Sequence, residues 1–186
     1  MQVRCIIVIS QNITRATMLI RRLVPSDALA FQTLRLAALR DCPSAFSSSY
    51  EQECDTPLAA IEANLAPDSG RNLFGAFDGG ELAGMVGVGR ESAPKLRHKA
   101  SIRAMYVAPA QRGKGAGRML FEHALAFAEA MPGLRLVTLV VTAGNAPAIA
   151  LYQARGFTVY GHEPGALFAD GVYYDDLYML RQVAPA

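Results

Sequence analysis

The chain has 186 residues, 52% apolar and 18% charged, with a formal net charge of +2. That length suits one domain with a short extension, and the apolar content calls for a packed core, which excludes disordered, collagen-like and low-complexity classes. Eighteen basic against sixteen acidic residues give no global field for nucleic acid or an anionic membrane, and no apolar run approaches the roughly 18 residues that span a bilayer.

Cys5, Cys42 and Cys54 cannot all pair within one chain and show no C-x-x-C spacing. A reduced, cytoplasmic setting without a metal site is therefore expected. The first apolar block, residues 5–9, is too short for a secretory signal, which needs about 7–15 apolar residues. Residues 1–17 read as an N-terminal extension or an extra edge strand, and residues 18–182 as the domain.

In chain order, residues 18–23 alternate apolar and basic, as a half-buried strand does. Ser26 is the expected N-cap of an amphipathic helix marked by Leu29, Phe31, Leu34, Leu36 and Leu39 and ending near Asp41, Cys42 and Pro43. Thr56 and Pro57 open a second helix, which stops before Pro67. Residues 72–77 and 81–89 flank Asp78-Gly79-Gly80 and predict a β-hairpin. Gly84, Gly87 and Gly89 in its second strand point to a place where something approaches the backbone closely.

A charged turn at 95–99 leads into a strand over 101–107, stopped by Pro109. Gly113 to Gly117 opens a helix carrying Met119, Leu120, Ala124, Leu125, Phe127 and Ala128. Residues 134–141 form a dense apolar run of the fully buried strand type. Asn145 caps a short helix over 146–155, with Gly156 as its C′ residue. Residues 157–160 and 172–180 are the last two strands.

The strongest chemical signal is Arg112-Gly113-Lys114-Gly115-Ala116-Gly117-Arg118 at a helix start. Alternate glycines remove the Cβ atoms that would keep a ligand off the backbone, and a helix N-terminus offers unpaired N–H groups and partial positive charge to a phosphate. A P-loop is excluded, since no lysine is placed as G-x-x-x-x-G-K-[ST] requires. The dinucleotide fingerprint fails too, because counting from Gly113 its last glycine falls on Arg118.

With the segment Asn145-Ala-Pro-Ala-Ile-Ala-Leu-Tyr152-Gln-Ala-Arg-Gly-Phe157, the glycine turn resembles the GCN5-related N-acetyltransferase (GNAT) superfamily. The resemblance implies an α/β fold with a central mixed sheet of six to seven strands flanked by about four helices. It implies acetyl-CoA as cosubstrate in a V-shaped gap between strands four and five, and acetyl transfer to an amine of a small molecule, peptide or protein. Direct transfer is expected because Cys42 and Cys54 lie outside the cofactor segment and no Cys–His pairing is evident for a covalent intermediate. By position, the backbone of Met105, Tyr106 and Val107 would pair with the pantetheine arm. Arg112, Gly113, Lys114, Gly115, Ala116, Gly117 and Arg118 would cradle the pyrophosphate. Asn145 would touch the pantetheine or the cofactor end of the next helix, and Tyr152 matches the general acid that protonates the leaving thiolate. The other reading of Tyr152 is a core aromatic.

The family often carries a glutamate base on strand four or five, and here residues 101–107 and 134–141 contain no carboxylate. This departure mildly favours an acceptor of low pKa: an α-amine titrates at about 7.7–8.0, a lysine amine at about 10.4. It also leaves open a catalytically weakened acetyl-CoA-binding scaffold with a regulatory role. Glu51, Glu53 and Asp55, and Tyr173, Tyr174, Asp175 and Asp176, are weighed as acceptor-site walls against solvated loop and packing residues. Apolar strands near the C-terminus would suit a homodimer seam.

Overall fold

A computed structural model describes residues 18–183; the extension or strand expected over residues 1–17, with Cys5, lies outside the described residues. Seven strands form one mixed sheet in the order β1-β2-β3-β4-β5-β7-β6. β1 (Leu19–Arg22), β2 (Asn72–Asp78), β3 (Glu81–Arg90) and β4 (Lys99–Val107) make an antiparallel meander. β4 and β5 (Leu136–Thr142) run parallel, and β7 (Val172–Gln182) pairs antiparallel with both β5 and the edge strand β6 (Thr158–Ala169).

On one face, α4 (Ala116–Glu129) and α5 (Ala146–Gln153) cover the main core, where Phe121, Leu120, Val86, Val137 and Met179 are fully buried. Burial of each such side chain contributes roughly 1.5–3 kcal/mol. On the other face lie α1 (Ala28–Asp41), the single turn α2 (Tyr50–Glu53) and α3 (Leu58–Leu65), packed through Leu34, Ala38 and Leu65 onto Met85, Tyr106 and Phe77.

Several local expectations are corrected. Residues 25–27 form a 3₁₀ turn before α1, so Ser26 does not cap it; Asp27 instead accepts from the Val24 amide at 2.9 Å and pairs with Arg21. Leu29 points to solvent, because Ala28, Leu34, Ala38 and Leu39 form the buried stripe. Pro57 stands at the N-cap of α3 rather than inside it, and no side chain caps that helix. α2 makes a fifth helix, and β6 runs nine residues past Tyr160. β5 is buried on alternate residues only, with Val140 half exposed, because one of its faces borders an open cavity.

Candidate active site

The site is built where the sheet comes apart. The parallel β4–β5 ladder holds only from Lys99–Leu136 to Ser101–Thr138, so beyond it the two strands diverge. A bulge re-aims the β4 side of that gap. Between Gly87–Arg103 and Met85–Tyr106 the β3–β4 register slips by one residue, and Ala104 takes φ +52°, a left-handed conformation. Side chains that would alternate are thereby reset: Ile102 and Met105 both pack toward α4 and α5, while Tyr106 packs under α1.

The glycine turn sits at the end of this gap. Gly113 (φ +76°) and Gly115 (φ +89°) hold left-handed backbone, and a Cβ at either would meet nothing within 4 Å. The turn needs glycine for its shape while its outer side stays open to a ligand. Gly115 is the N-cap residue of α4, and the first helical bond runs from the Met119 amide to the Gly115 carbonyl at 3.0 Å. The amides of Ala116, Gly117 and Arg118 precede that bond and lack helical acceptors, which fits a pyrophosphate. Lys114 and Arg118 are exposed beside them. Arg112 is engaged elsewhere: its Nε donates to the Val107 carbonyl at 3.0 Å and its Nη2 to Asp41 at 2.5 Å. Its side chain locks the turn to the end of α1.

The Asn145 side chain accepts from the Ala148 amide at 3.2 Å and caps α5, as expected from sequence. Gly156 follows that helix at φ +80°. Tyr152 is buried, its ring 4.7 Å from Phe121. Its hydroxyl donates to the Met105 Sδ at 3.6 Å, a weak acceptor on the β4 wall of the gap. Burial pushes the phenol up to about 12. Tyr152 is thus a core aromatic in its ring and a gap residue at its tip.

On the α1 face, a cavity of about 550 Å³ opens between the separated strands and is lined by Arg35, Phe46, Arg103, Thr142, Asp176 and Tyr178 among others. A second of about 470 Å³ shares Arg35, Arg103 and Ala104 with it and runs on under α3. Of the acidic and aromatic residues singled out near the C-terminus, Asp176 alone lines the larger cavity. It stands opposite Thr142 in the β5–β7 ladder, and desolvation, reinforced by Glu163 and Asp175, holds its carboxyl above the usual range. Tyr173 is exposed and packs on Phe168. Glu53 borders the second cavity and is ion-paired with Arg35 at 2.7 Å. Glu51 and Asp55 are exposed, and Glu51 lines a separate surface pocket.

Sequence reasoning gave no site role to Arg35 or Arg103. The β3 glycines were the available signal: a Cβ at Gly89 would lie 2.0 Å from the Arg103 Nη2, and one at Gly84 would lie 2.8 Å from Leu120. The close approach expected there is made by the protein's own side chains.

The sequence pattern of the acetyltransferase (GNAT) family matches residues 35–157. The N-alpha-acetyltransferase RimI of Mycobacterium tuberculosis is 34% identical over 137 residues, covering 73% of this chain and 82% of that protein. An uncharacterised Mycobacterium leprae protein is 31% identical over 86% of this chain, which spans only 42% of its length. Among solved structures, a protein of Salmonella typhimurium named as an acetyltransferase, with its cofactor acetyl-CoA, superposes with a TM-score of 0.75 at 24% identity, over 91% of this chain and 96% of that one.

Proposed function

The chain belongs to the acetyltransferase (GNAT) family, and from that premise we propose that it transfers the acetyl group of acetyl-CoA directly to an amine. The observation that carries this reading is the divergence of β4 from β5 at Ser101–Thr138, above an open glycine turn. A pantetheine arm fits that gap as an added strand along Met105, Tyr106 and Val107, although the Val107 carbonyl is taken by Arg112. The amides of Gly113, Gly115, Ala116 and Gly117 hold the pyrophosphate, with Lys114 and Arg118 as cations. Arg112 shapes the turn rather than grips the phosphate. Asn145 fixes the start of α5, and so the placement of Tyr152.

The reaction needs a neutral amine. Asp176 is the carboxylate that sequence reasoning lacked on strands four and five: it comes from β7 and stands across from the end of β5. Desolvation strengthens it as a proton acceptor. The amine nitrogen forms a bond to the thioester carbon, the C–S bond breaks, and its electron pair leaves on sulfur. Tyr152 O–H then donates to the thiolate. Direct transfer is supported by Cys42, whose thiol burial pushes up and keeps protonated, so it makes a poor acyl carrier.

Thiol release from acetyl-CoA across a panel of amines at two pH values tests this reading. Release that requires an amine is the expected result. Tight acetyl-CoA binding with no amine-dependent release would instead make the chain a cofactor-binding scaffold.

The free thiols of Cys42 and Cys54 support a cytoplasmic setting. Among the described residues no helix is long and apolar enough to cross a membrane. The exposed Val159, Tyr160 and Phe168 on edge strand β6 support a homodimer seam, which sedimentation at graded concentrations checks.

A further inference from the structure

The two cavities on the α1 face, which form one acceptor trough in the acetyl-transfer reading, share an exposed cation that no carboxylate among the described residues neutralises. Arg103 lines both cavities of the trough and enters none of the ion pairs among the described residues. Its position is built into the sheet. The side chain lies against β3 where Gly89 leaves room: a Cβ there would come within 2.0 Å of Nη2 and 2.9 Å of Cζ, and one at Gly87 within 3.4 Å of the Arg103 carbonyl. The Ala104 bulge shifts the β3–β4 register by one residue just beyond Arg103. The guanidinium reaches back over Gly89, opposite Ser101, the last β4 residue paired with both neighbours before β4 and β5 diverge.

Arg35 of α1 borders the same two cavities. Its Nε and Nη2 donate to Glu53 at 2.9 and 2.7 Å, and its guanidinium stacks on Phe46 at 4.7 Å. Its Nη1 is buried without a hydrogen-bond partner. A buried charged donor left unsatisfied is costly, so an acceptor from outside the chain is expected to complete it. Asp176 stands elsewhere on the larger cavity's lining and forms no ion pair with either arginine. The trough therefore presents donors for an anion and, separately, a carboxylate for an amine. Cavities of about 550 and 470 Å³ suit a small molecule.

We propose that the acceptor is a small amine that also bears an oxyanion, the anion held by Arg103 together with Nη1 of Arg35 and the amine turned toward Asp176. This assignment rests on the acetyl-transfer reading and narrows it to one substrate class. A polyamine would instead set a second cation against Arg103, a like-charge contact that the site rejects. Arginine suits the task because its planar fork matches a carboxylate or phosphonate in two parallel bonds.

The test compares amino acids of graded chain length with their carboxamides, and with diamines of the same length, by thiol release. The acid of the best-used length should exceed its carboxamide in kcat/KM by about 10–100-fold, the range for hydrogen bonds to charged groups, with the difference lying in KM. Arg103→Met should bring the ratio close to one, and Arg103→Lys should keep part of it. Butyrate, which carries one carboxylate and no amine, should bind the CoA-loaded protein in a calorimetric titration and lose that binding in Arg103→Met. Equal use of acid and carboxamide, or a ratio preserved in Arg103→Met, overturns the proposal. If acetyl-CoA binds and no amine is acetylated, the transfer reading fails by itself, and the butyrate titration decides this site. No butyrate binding would mean that water alone completes Arg35, and overturns the proposal.

Discussion

Tyr152→Phe removes one O–H and leaves the ring. The phenyl group keeps its contacts at 4.7 Å to Phe121 and 6.4 Å to Phe157, so the core has no cavity to absorb. The lost hydrogen bond is the one to Met105 Sδ at 3.6 Å, and sulfur is a weak acceptor. A buried hydroxyl that is poorly paired costs stability, so its removal should leave the melting temperature unchanged or raise it, by up to about 1 kcal/mol of stability. Turnover should move the other way. With the phenol at about 12 and a CoA thiol near that of free cysteine, about 8.5, complete proton transfer to the thiolate would run uphill by several kcal/mol. The hydroxyl therefore acts chiefly as a preorganised donor to the charge that develops on sulfur. Loss of such a donor lowers kcat by about 10²–10³-fold, rather than the 10⁴ of a full general acid. Because burial raises this pKa, Tyr152 stays protonated up to about pH 12 and contributes no alkaline limb to the rate below that. Melting temperature, acetyl-CoA affinity and thiol release, measured on the one variant across pH, test each step. A destabilised Tyr152→Phe protein with normal turnover refutes the reasoning and leaves Tyr152 as packing.

Gly117→Glu should weaken acetyl-CoA binding by at least about 10²-fold in a folded protein, because a Cβ there makes ordinary contacts at 3.6 and 3.7 Å with Met105 and Val107, while a like charge near the phosphate is worth a few kcal/mol. Gly115→Glu adds backbone strain of about 1–2 kcal/mol at φ +89°, so Gly115→Ala, which carries the strain alone, is its control in the calorimeter. Asp176→Asn should lower kcat by about 10²-fold and yet hold or raise the melting temperature at pH 7. The sign follows from a carboxyl whose pKa is higher folded than unfolded: its ionisation costs stability above the folded pKa, and the amide removes that cost. Full activity of Asp176→Asn would exclude it as the base. Asn145→Ala should cost about 1 kcal/mol through the lost cap on α5, read as a fall of roughly 2–4 °C in melting temperature; a parallel rise in KM for acetyl-CoA would show that Asn145 also touches the cofactor.

What the sequence disclosed is local chemistry, and what it hid is pairing. Asn145 as a cap and Asp78-Gly79-Gly80 as a turn depend on a few adjacent residues, and both stand where expected. Gly156 takes the left-handed turn but one residue past the C′ position, because α5 ends at Gln153 with Ala154 as its C-cap. β6 looked finished at Tyr160 because Gly161, Pro164 and Gly165 oppose a strand. It continues because it lies on the sheet edge, where a missing donor is tolerated and bulges at 159–161 and 163–167 absorb the misfit. Asp176 was visible as a carboxylate, but its place at the gap follows only from β7 inserting between β5 and β6. The β3 glycines carry the same lesson furthest. Gly89 announced a close approach without naming what approaches, since that is fixed by the partner strand. Arg103 reaches Gly89 because β4 is in one particular register, and a slip by a single residue would turn its side chain to the opposite face. The bulge at Ala104 lets both needs be met on one strand: Arg103 faces the acceptor trough, and two residues later Met105 faces Tyr152. Without the extra residue those two side chains would share a face: Arg103, held by the Gly87 and Gly89 register, would stay on the acceptor side, and Met105 would turn there with it, away from Tyr152.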